Sequence, residues 1–174
     1  MISIRNAQFA KIGLEDLVAY IGKTSEKIML EIGCYVGDST EIFAKNFLTV
    51  HAIDPWKNGY DNTDLASTQY DMSIVEAQFD ELNKKYPNII KHKMTSLEAS
   101  LLFLDGVFDF VYIDGNHQEK SVREDMKLWL PKIKKGGYLG GHDYQGRFKG
   151  TRRAVDELGA EKIFRDTSWI KKIC

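Results

Sequence analysis

The stretch LEIGCYVGDST, residues 30–40, holds two glycines between an apolar run and a segment that begins with an acid and two hydroxyl side chains. The residues that lead into it, KIMLEI at 27–32, form a short and nearly continuous apolar run, which predicts a strand buried on both faces. The residues after it, 39–45, predict a helix for which Asp38 serves as the N-cap. The stretch therefore predicts a strand, a tight turn and a helix in direct succession.

Gly33 and Gly37 allow this turn to approach a ligand closely, because glycine has no side chain that would keep a ligand away from the backbone. The N-terminus of the following helix offers free N–H groups to an anion. A dinucleotide site would place another glycine where this chain has Tyr35, and a bulky side chain there leaves little room for a pyrophosphate. A smaller anion, such as an amino-acid carboxylate, fits better, although the glycines alone do not exclude a plain structural turn.

Signals for strands and helices alternate along the rest of the chain. The pattern predicts strands at residues 49–54, 88–94, 108–114 and 136–143, helices within residues 14–21, 72–86, 122–133 and 151–158, and a closing hairpin at residues 162–173. Such alternation predicts an α/β fold, a doubly wound and mostly parallel sheet with helices on both faces. No repeat or linker interrupts the pattern, so we expect a single domain over residues 1–174.

Several of the predicted strands end in an acid or a histidine. Parallel strands bring their carboxyl ends to one edge of the sheet, where α/β proteins bind ligands. We therefore expect Glu31, Asp54, Asp114 and the pair His142–Asp143 to meet at that edge. Asp54 follows Glu31 by about 20 residues, the spacing at which an acid accepts hydrogen bonds from the hydroxyls of a ribose. These residues favour a nucleoside ligand with a small anionic group, a description that S-adenosylmethionine fits.

The composition of the 174-residue chain limits the partners that we expect. Its 24 lysines and arginines nearly balance its 25 acids, for a net charge of -1, whereas proteins that bind nucleic acid usually carry a basic excess. Two cysteines cannot form a disulfide framework, and no apolar stretch approaches the roughly 18 residues of a membrane span. The N-terminal residues lack the long apolar segment of a signal peptide. We therefore expect a cytoplasmic protein that binds a small molecule, with no nucleic acid and no membrane as partner.

Longer segments of the chain resemble a known family. LEIGCYVGDST and AIDPW, residues 52–56, resemble the first and second motifs of the class I S-adenosylmethionine-dependent methyltransferases. FDFVYIDGNHQEKSVREDMKLWLPKIKKGGYLGGHDY, residues 108–144, resembles the second half of a narrower group of small bacterial O-methyltransferases, which includes metal-dependent sugar methyltransferases of the macrocin and novobiocin pathways. The resemblance spans residues 27–156 and implies a Rossmann-like sheet of about seven strands, the last of them antiparallel.

The resemblance also implies which residues bind S-adenosylmethionine. Glu31, Gly33 and Gly37 would surround its methionine part, Asp54 would hold its ribose, and Trp56 would lie near its adenine. Ser96 follows the third strand, where this fold usually contacts adenine, although it could instead cap the next helix. The complete set expected for the cofactor is Glu31, Gly33, Tyr35, Gly37, Ser39, Asp54, Trp56, Ser96 and Asp114.

In metal-dependent relatives an acid after the fourth strand and a pair after the fifth hold a divalent cation, and the matching residues here are Asp114, His142 and Asp143. The sugar methyltransferases have two acids where this chain has His142–Asp143. Because Mg²⁺ prefers oxygen ligands while imidazole suits Mn, Fe, Zn or Ni, either His142 binds a borderline-soft metal, or His142 is a base and no tight metal site exists.

His117 is the second candidate for a base, because histidine titrates near neutral pH. In the sugar-methylating relatives an acidic residue near this position acts as the general base. A structural role in the turn or as a cap for the following helix is the alternative for this histidine. The candidate catalytic residues are therefore His117, His142 and Asp114.

These features predict methylation of a hydroxyl on a small molecule, such as a sugar, with the assistance of a divalent metal. One alternative is a catalytically inactive module that binds S-adenosylmethionine, and a nicotinamide-dependent oxidoreductase is disfavoured by Tyr35. A nitrogen acceptor and a homo-oligomer are both compatible with the sequence.

The polar segment 56–69 predicts a lid over the substrate. Tyr60, Asp61 and Asp64 in this segment are candidates for contact with a hydroxylated acceptor, and Arg153 is a candidate for contact with an anionic group of the substrate.

Overall fold

The computed structural model describes residue 2 and residues 8–61, 65–146 and 148–174. Within this part of the chain seven strands form one sheet, with these bounds: β1 Ile28–Ile32, β2 Thr49–Asp54, β3 Ile89–Lys93, β4 Phe108–Ile113, β5 Ile133–Gly141, β6 Lys162–Ile163 and β7 Trp169–Lys172. The strands lie in the order β3-β2-β1-β4-β5-β7-β6. Strands β1 to β5 pair in parallel, and β7 runs antiparallel to β5 and β6. The predicted fold class, including the antiparallel C-terminal strand, is confirmed.

The helices that the structure describes are α1 Gln8–Ile21, α2 Asp38–Asn46, α3 Leu65–Gln69, α4 Met72–Lys85, α5 Ser96–Ser100, α6 Glu119–Trp129 and α7 Lys149–Leu158, with short 3₁₀ helices at Thr24–Glu26 and Leu130–Lys132. Pro131 lies just beyond α6, because a proline inside the helix would remove a hydrogen bond. None of the helices in the described ranges is long and apolar enough to cross a membrane.

Two layers of apolar side chains cover the two faces of the sheet. On one face α1, α2 and α4 contribute the fully buried Leu14, Phe43 and Phe79. On the other face α6 and α7 contribute Trp129 and Val155. The central strands are covered on both sides, which explains why β1 and β4 are nearly continuous apolar runs in the sequence. Both layers hold the strands in place and so fix the edge at which their carboxyl ends meet.

The start of α2 differs from the sequence prediction by one residue. Gly37, not Asp38, is the N-cap, and Gly37 has a left-handed backbone with φ of 91°. This conformation favours glycine, and a Cβ at Gly37, 2.3 Å from Cδ2 of Leu82, would also require the Leu82 side chain to move. Asp38 is therefore the first residue of the helix, where an acid interacts favourably with the helix dipole.

Candidate active site at the carboxyl edge of the sheet

A cavity of about 440 Å³ lies at the carboxyl ends of β1, β2 and β4, the edge at which the sequence placed the ligand site. The predicted site residues that line it are Gly33, Tyr35, Ser39, Asp54, Ser96, Asp114, His117, His142 and Asp143. Glu31, Gly37 and Trp56 are not part of its lining. The structure thus brings nine of the predicted residues to one cavity and places the other three behind it.

The turn after β1 is shaped by Gly33, whose φ is 85°. A Cβ at this position would lie 2.1 Å from the carbonyl oxygen of Asp114, a distance at which no side chain fits. The N–H of Gly33 donates to the carbonyl of Ile53 at 2.8 Å, so the turn is tied to β2 as well. The absence of a side chain at Gly33 therefore lets the ends of β1, β2 and β4 come together.

Asp54 at the end of β2 is held by the backbone on both of its carboxylate oxygens. Its Oδ2 accepts from the N–H of Tyr35 at 3.0 Å, and its Oδ1 accepts from the N–H of Trp56 at 2.7 Å. Burial raises the pKa of Asp54, while these backbone hydrogen bonds oppose the rise. Each oxygen retains acceptor capacity, so the oriented carboxylate can receive the two hydroxyls of a ribose.

Glu31 and Trp56 support this turn and do not line the cavity, so their expected contact with the cofactor stays a prediction. Glu31 is fully buried and accepts hydrogen bonds from the hydroxyls of Ser39 and Thr40, each at 2.5 Å. Trp56 is 4% exposed, donates from its indole N–H to the carbonyl of Tyr35 at 2.9 Å, and packs against Phe79. Glu31 thus fixes the first turn of α2, and Trp56 fixes the turn of Tyr35.

The cavity is also lined by Ser96, the first residue of α5. The hydroxyl of Ser96 donates to Asp125 and accepts from the indole N–H of Trp129 at 2.8 Å. The alternative role for Ser96 as a helix cap is wrong, because Thr95 is the N-cap and forms a capping box with Glu98. Ser96 instead belongs to a buried polar chain at the edge of the cavity.

Asp114, His117 and Asp143 form a compact cluster at the ends of β4 and β5. Nε2 of His117 lies 2.8 Å from Oδ2 of Asp143 and 3.9 Å from Oδ1 of Asp114. One ligand atom from each of the three residues lies within 4.8 Å of the others, an arrangement that could hold a metal ion. The histidine in this group is His117, whereas the sequence had assigned His142 to the metal.

His142 nevertheless faces the same two carboxylates. Its Nδ1 lies 3.3 Å from Asp143 and 3.8 Å from Asp114. Its Nε2 lies 2.6 Å from the carbonyl of Asp166, which can only accept, so Nε2 carries the proton. Nδ1 can donate a hydrogen bond to Asp143 only while it carries a proton; without that proton its lone pair lies at the two carboxylates, so His142 is also suited to bind a metal.

The carboxylates control the charge on the cluster. Burial alone would lower the pKa of His117, but hydrogen bonds to Asp114 and Asp143 raise it to about 10. Burial alone would raise the pKa of Asp143, but hydrogen bonds from His117 and His142 lower it. In the free protein the cluster therefore holds an imidazolium between carboxylates at neutral pH.

The remaining side of His117 is enclosed by two residues from loops. Phe148 stacks on its ring with 4.1 Å between ring centroids. Oδ2 of Asp61, a buried residue of the predicted lid, lies 3.9 Å from Nδ1 of His117. Tyr60 also lines the cavity, whereas Asp64 lies outside the described residues. The described part of the lid segment thus reaches the catalytic candidate.

The sequence did not predict two residues that line the cavity, Phe148 and Asp125, and one predicted residue, Arg153, does not line it. Phe148 carries no local signal, because it lies in a loop. Asp125 does carry one, since it is an acid within the apolar stripe of Val122, Met126 and Trp129 on α6. Arg153 pairs with Glu119, with Nε at 2.9 Å, so its charge is already engaged outside the cavity.

Residues 30–144, more than half of the chain, match a family model described as a methyltransferase domain. No curated protein matches the sequence significantly.

Many solved structures share the fold. The cofactor-bound Rv0187 from MTB has a TM-score of 0.67 at 14% identity, and the match covers 99% of this chain and 82% of that one. A proposed caffeoyl-CoA O-methyltransferase from Staphylococcus aureus has a TM-score of 0.65 at 16% identity, with 99% and 85% covered. YcgJ from Bacillus subtilis has a TM-score of 0.56 at 16% identity, and the match covers 75% of this chain but only 49% of YcgJ. At such identities the structural similarity shows the fold alone.

The family match covers both the glycine turn and the acid–histidine cluster, and the strand order and the cavity agree with it. The chain therefore belongs to the methyltransferase-domain family.

Proposed function

We propose that this chain methylates a hydroxyl group of a small molecule, with sugars as the leading substrate class. The observation that carries the proposal is the position of the acid–histidine cluster, Asp114, His117, His142 and Asp143, beside the glycine turn. Gly33 and Asp114 are in backbone contact, so a ligand held by the turn lies next to the cluster. Methyl transfer requires this proximity of donor and acceptor.

The residues at the turn suit S-adenosylmethionine. Gly33 leaves the backbone free for close approach, Asp54 offers its oriented carboxylate to the ribose, and the first turn of α2 faces the small anion of the amino-acid part. When bound, the cofactor supplies a methyl group on a positively charged sulfur. The chain itself must position the acceptor and remove its proton.

His117 is the residue that we assign to proton removal. It lies in the cavity, and Phe148 and Asp61 hold its ring from the other side. Nε2 faces the two carboxylates, the place where the acceptor hydroxyl would have to lie to be oriented by them. In this role Nε2 accepts the proton of the hydroxyl as the oxygen attacks the methyl group.

The donor set of the cluster fits a divalent metal. Asp114 and Asp143 supply carboxylate oxygens, and His142 supplies the Nδ1 lone pair. Two oxygens and one imidazole favour Mn²⁺ or a similar borderline ion over Mg²⁺. A cation there would neutralise the carboxylates that keep His117 protonated, and it would lower the pKa of the acceptor hydroxyl.

A hydroxylated acceptor agrees with the polarity of the cavity. Asp61, Asn116 and Asp143 line it next to His117, so several oxygen acceptors surround the reaction centre. A substrate with several hydroxyl donors can form hydrogen bonds with them, whereas an apolar acceptor cannot.

The first test is calorimetric titration with S-adenosylhomocysteine. We expect a dissociation constant in the micromolar range, which corresponds to a binding free energy of about −8 kcal/mol. The second is transfer of labelled methyl groups to a panel of sugars, phenols and amines. We expect transfer to a hydroxyl, lost after chelation and restored better by Mn²⁺ than by Mg²⁺. Full activity after complete chelation would remove the metal from the proposal, and transfer to amines alone would overturn O-methylation.

A further inference from the structure

Asp125 is a buried acid that neither the catalytic cluster nor the glycine turn requires. It lies on the apolar face of α6 beside Met126 and Trp129, and it is 7% exposed. Burying a carboxylate in such a place is costly unless its oxygens are hydrogen-bonded. The described structure satisfies one oxygen, because Oδ1 accepts from Ser96, and Ser96 in turn is held by the indole of Trp129.

The other oxygen is available to a ligand. Among the described residues, Oδ2 of Asp125 receives no protein hydrogen bond, and it is not sealed from solvent. Asp125 lines the cavity, and its negative charge contributes to raising the pKa of Tyr60, another lining residue, after the effect of burial. The cavity therefore contains a fixed acceptor that is not part of the acid–histidine cluster.

The neighbours of Asp125 define the shape of this part of the cavity. Asp54 is paired with Lys93 across β2 and β3, and Ser96 follows three residues later, so the Ser96–Asp125 pair lies after the end of the strand next to Asp54. Leu97 and Leu128 line the same part of the cavity. A flat base with a hydrogen-bond donor on its edge fits an apolar wall that ends in one carboxylate oxygen.

We propose that Asp125 determines the base specificity of the nucleoside site, with Oδ2 accepting a hydrogen bond from the 6-amino group of adenine while Ser96 fixes the carboxylate through Oδ1. This inference rests on the binding of S-adenosylmethionine in the cavity. It adds a specificity-determining residue on α6 to the turn and the acids at the strand ends.

The proposal distinguishes a 6-amino base from a 6-oxo base. Adenine presents a donor at position 6, whereas hypoxanthine presents an acceptor there, which an ionised carboxylate repels. Burial raises the pKa of Asp125 to about 6, against the hydrogen bond from Ser96, so the carboxylate is ionised at pH 8. An amide at this position offers a donor as well as an acceptor, and it should tolerate both bases.

The test compares calorimetric binding of S-adenosylhomocysteine and S-inosylhomocysteine at pH 8. We expect the wild-type protein to prefer the adenosyl compound by about tenfold or more, because a hydrogen bond to a charged acceptor is lost and an unfavourable contact replaces it. In Asp125→Asn the preference should fall to about threefold or less, mostly through tighter binding of the inosyl compound. Glu124→Gln, which removes the same charge from the adjacent exposed lining residue, should keep the wild-type preference.

The outcomes separate this inference from the proposed function. If the wild-type protein does not bind S-adenosylhomocysteine, the cofactor site itself is wrong. If the wild-type protein binds this compound and Asp125→Asn retains the full preference for the adenosyl over the inosyl compound, Asp125 does not determine the base specificity. An equal loss in Glu124→Gln would assign the effect to local charge and overturn the hydrogen bond. Should Asp125→Asn unfold, Ser96→Ala replaces it, since a carboxylate released from Ser96 should also discriminate less.

Discussion

The structure contains two pairs of neighbouring histidines, one on β2 and β3 and one after β4 and β5, and the pKa values of His51 and His117 shift in opposite directions. His51 and His92 stack on neighbouring strands, with Nδ1 of His51 3.0 Å from Nε2 of His92 and with Phe103 and Phe108 around them. Burial and then the charge of His92 lower the pKa of His51 to about 4. His117 is also buried, yet hydrogen bonds to carboxylates raise its pKa to about 10.

The difference lies in the carboxylates and not in the histidines. His117 and His142 share Asp114 and Asp143, whereas no carboxylate is hydrogen-bonded to His51 or His92 in the described structure. A half-buried imidazole without an acid, such as that of His51, remains neutral and acts as a packing group. A buried imidazole between acids carries charge and can exchange a proton or make room for a cation, which is why only the second pair is a candidate for chemistry.

The largest effect is expected from exchanging one histidine of each pair for glutamine. His117→Gln should lower turnover by about a hundredfold or more, because the assigned base is lost, while binding of S-adenosylhomocysteine should change less than about threefold. His92→Gln, the matched change in the other pair, should leave turnover unchanged. Steady-state rates with labelled S-adenosylmethionine measure both. Equal rates for the two variants would break the comparison and remove His117 from the mechanism.

Gly33→Ala tests whether the cluster also needs its position beside the glycine turn. A Cβ there would overlap the carbonyl of Asp114, so the ends of β1 and β4 must separate, and we expect S-adenosylhomocysteine to bind on the order of a hundredfold more weakly. Gly106→Ala is the control, since Gly106 also has a positive φ, 66°, but a Cβ there would meet nothing within 4 Å. Calorimetry and thermal unfolding of both variants separate local strain from loss of the site. If the two variants bind alike, close approach at Gly33 is not needed.

Asp143→Asn sharpens the part of the comparison that concerns the acids. Asp143 is the carboxylate closest to both His117 and His142, so its loss should weaken Mn²⁺ binding by about tenfold to a hundredfold. Asp105→Asn, which changes an exposed acid paired with Lys132, is the control. Titration of Mn²⁺ into the metal-free protein gives both affinities. An unchanged affinity in Asp143→Asn would place any metal elsewhere.

The sequence located the strands and the edge of the site well, because buried parallel strands are apolar runs and their ends are marked by acids. It did not reveal the direction of each side chain at that edge. Glu31 shares a sheet face with Met29 and lies under α2, where Ser39 and Thr40 bond to it, so it does not reach the cavity. Such a contact depends on how the helix packs, and spacing in the sequence does not encode it.

The roles of His117 and His142 also depend on side-chain directions that the sequence does not reveal. The resemblance pointed to His142 as the metal ligand, while the structure places both His117 and His142 against Asp114 and Asp143. His117 lies in the loop between β4 and α6, and Phe148 from another loop stacks on its ring. Loop conformations of this kind arise from tertiary contacts, so the sequence alone left two candidates for one role.

The smallest expected effect concerns the stability of the protein in mild acid. Because the folded-state pKa of His51 is about 4, below its ordinary value near 6.5, the native state prefers the neutral ring. Its contribution to the free energy of unfolding is full above about pH 6.5 and is lost as the pH falls towards 4. Since the ring is only half-buried, we expect a loss of about 1 kcal/mol between pH 7 and pH 5.

Urea unfolding of the wild-type protein and of His51→Gln at pH 7 and pH 5 measures this contribution. Other groups titrate in the same range, so the informative quantity is the difference in pH dependence between the two proteins. The wild-type protein should lose more stability on acidification than the variant, because glutamine has no proton to bind. Identical pH dependence would mean that His51 is not held neutral, and the contrast between the two histidine pairs would then rest on geometry alone.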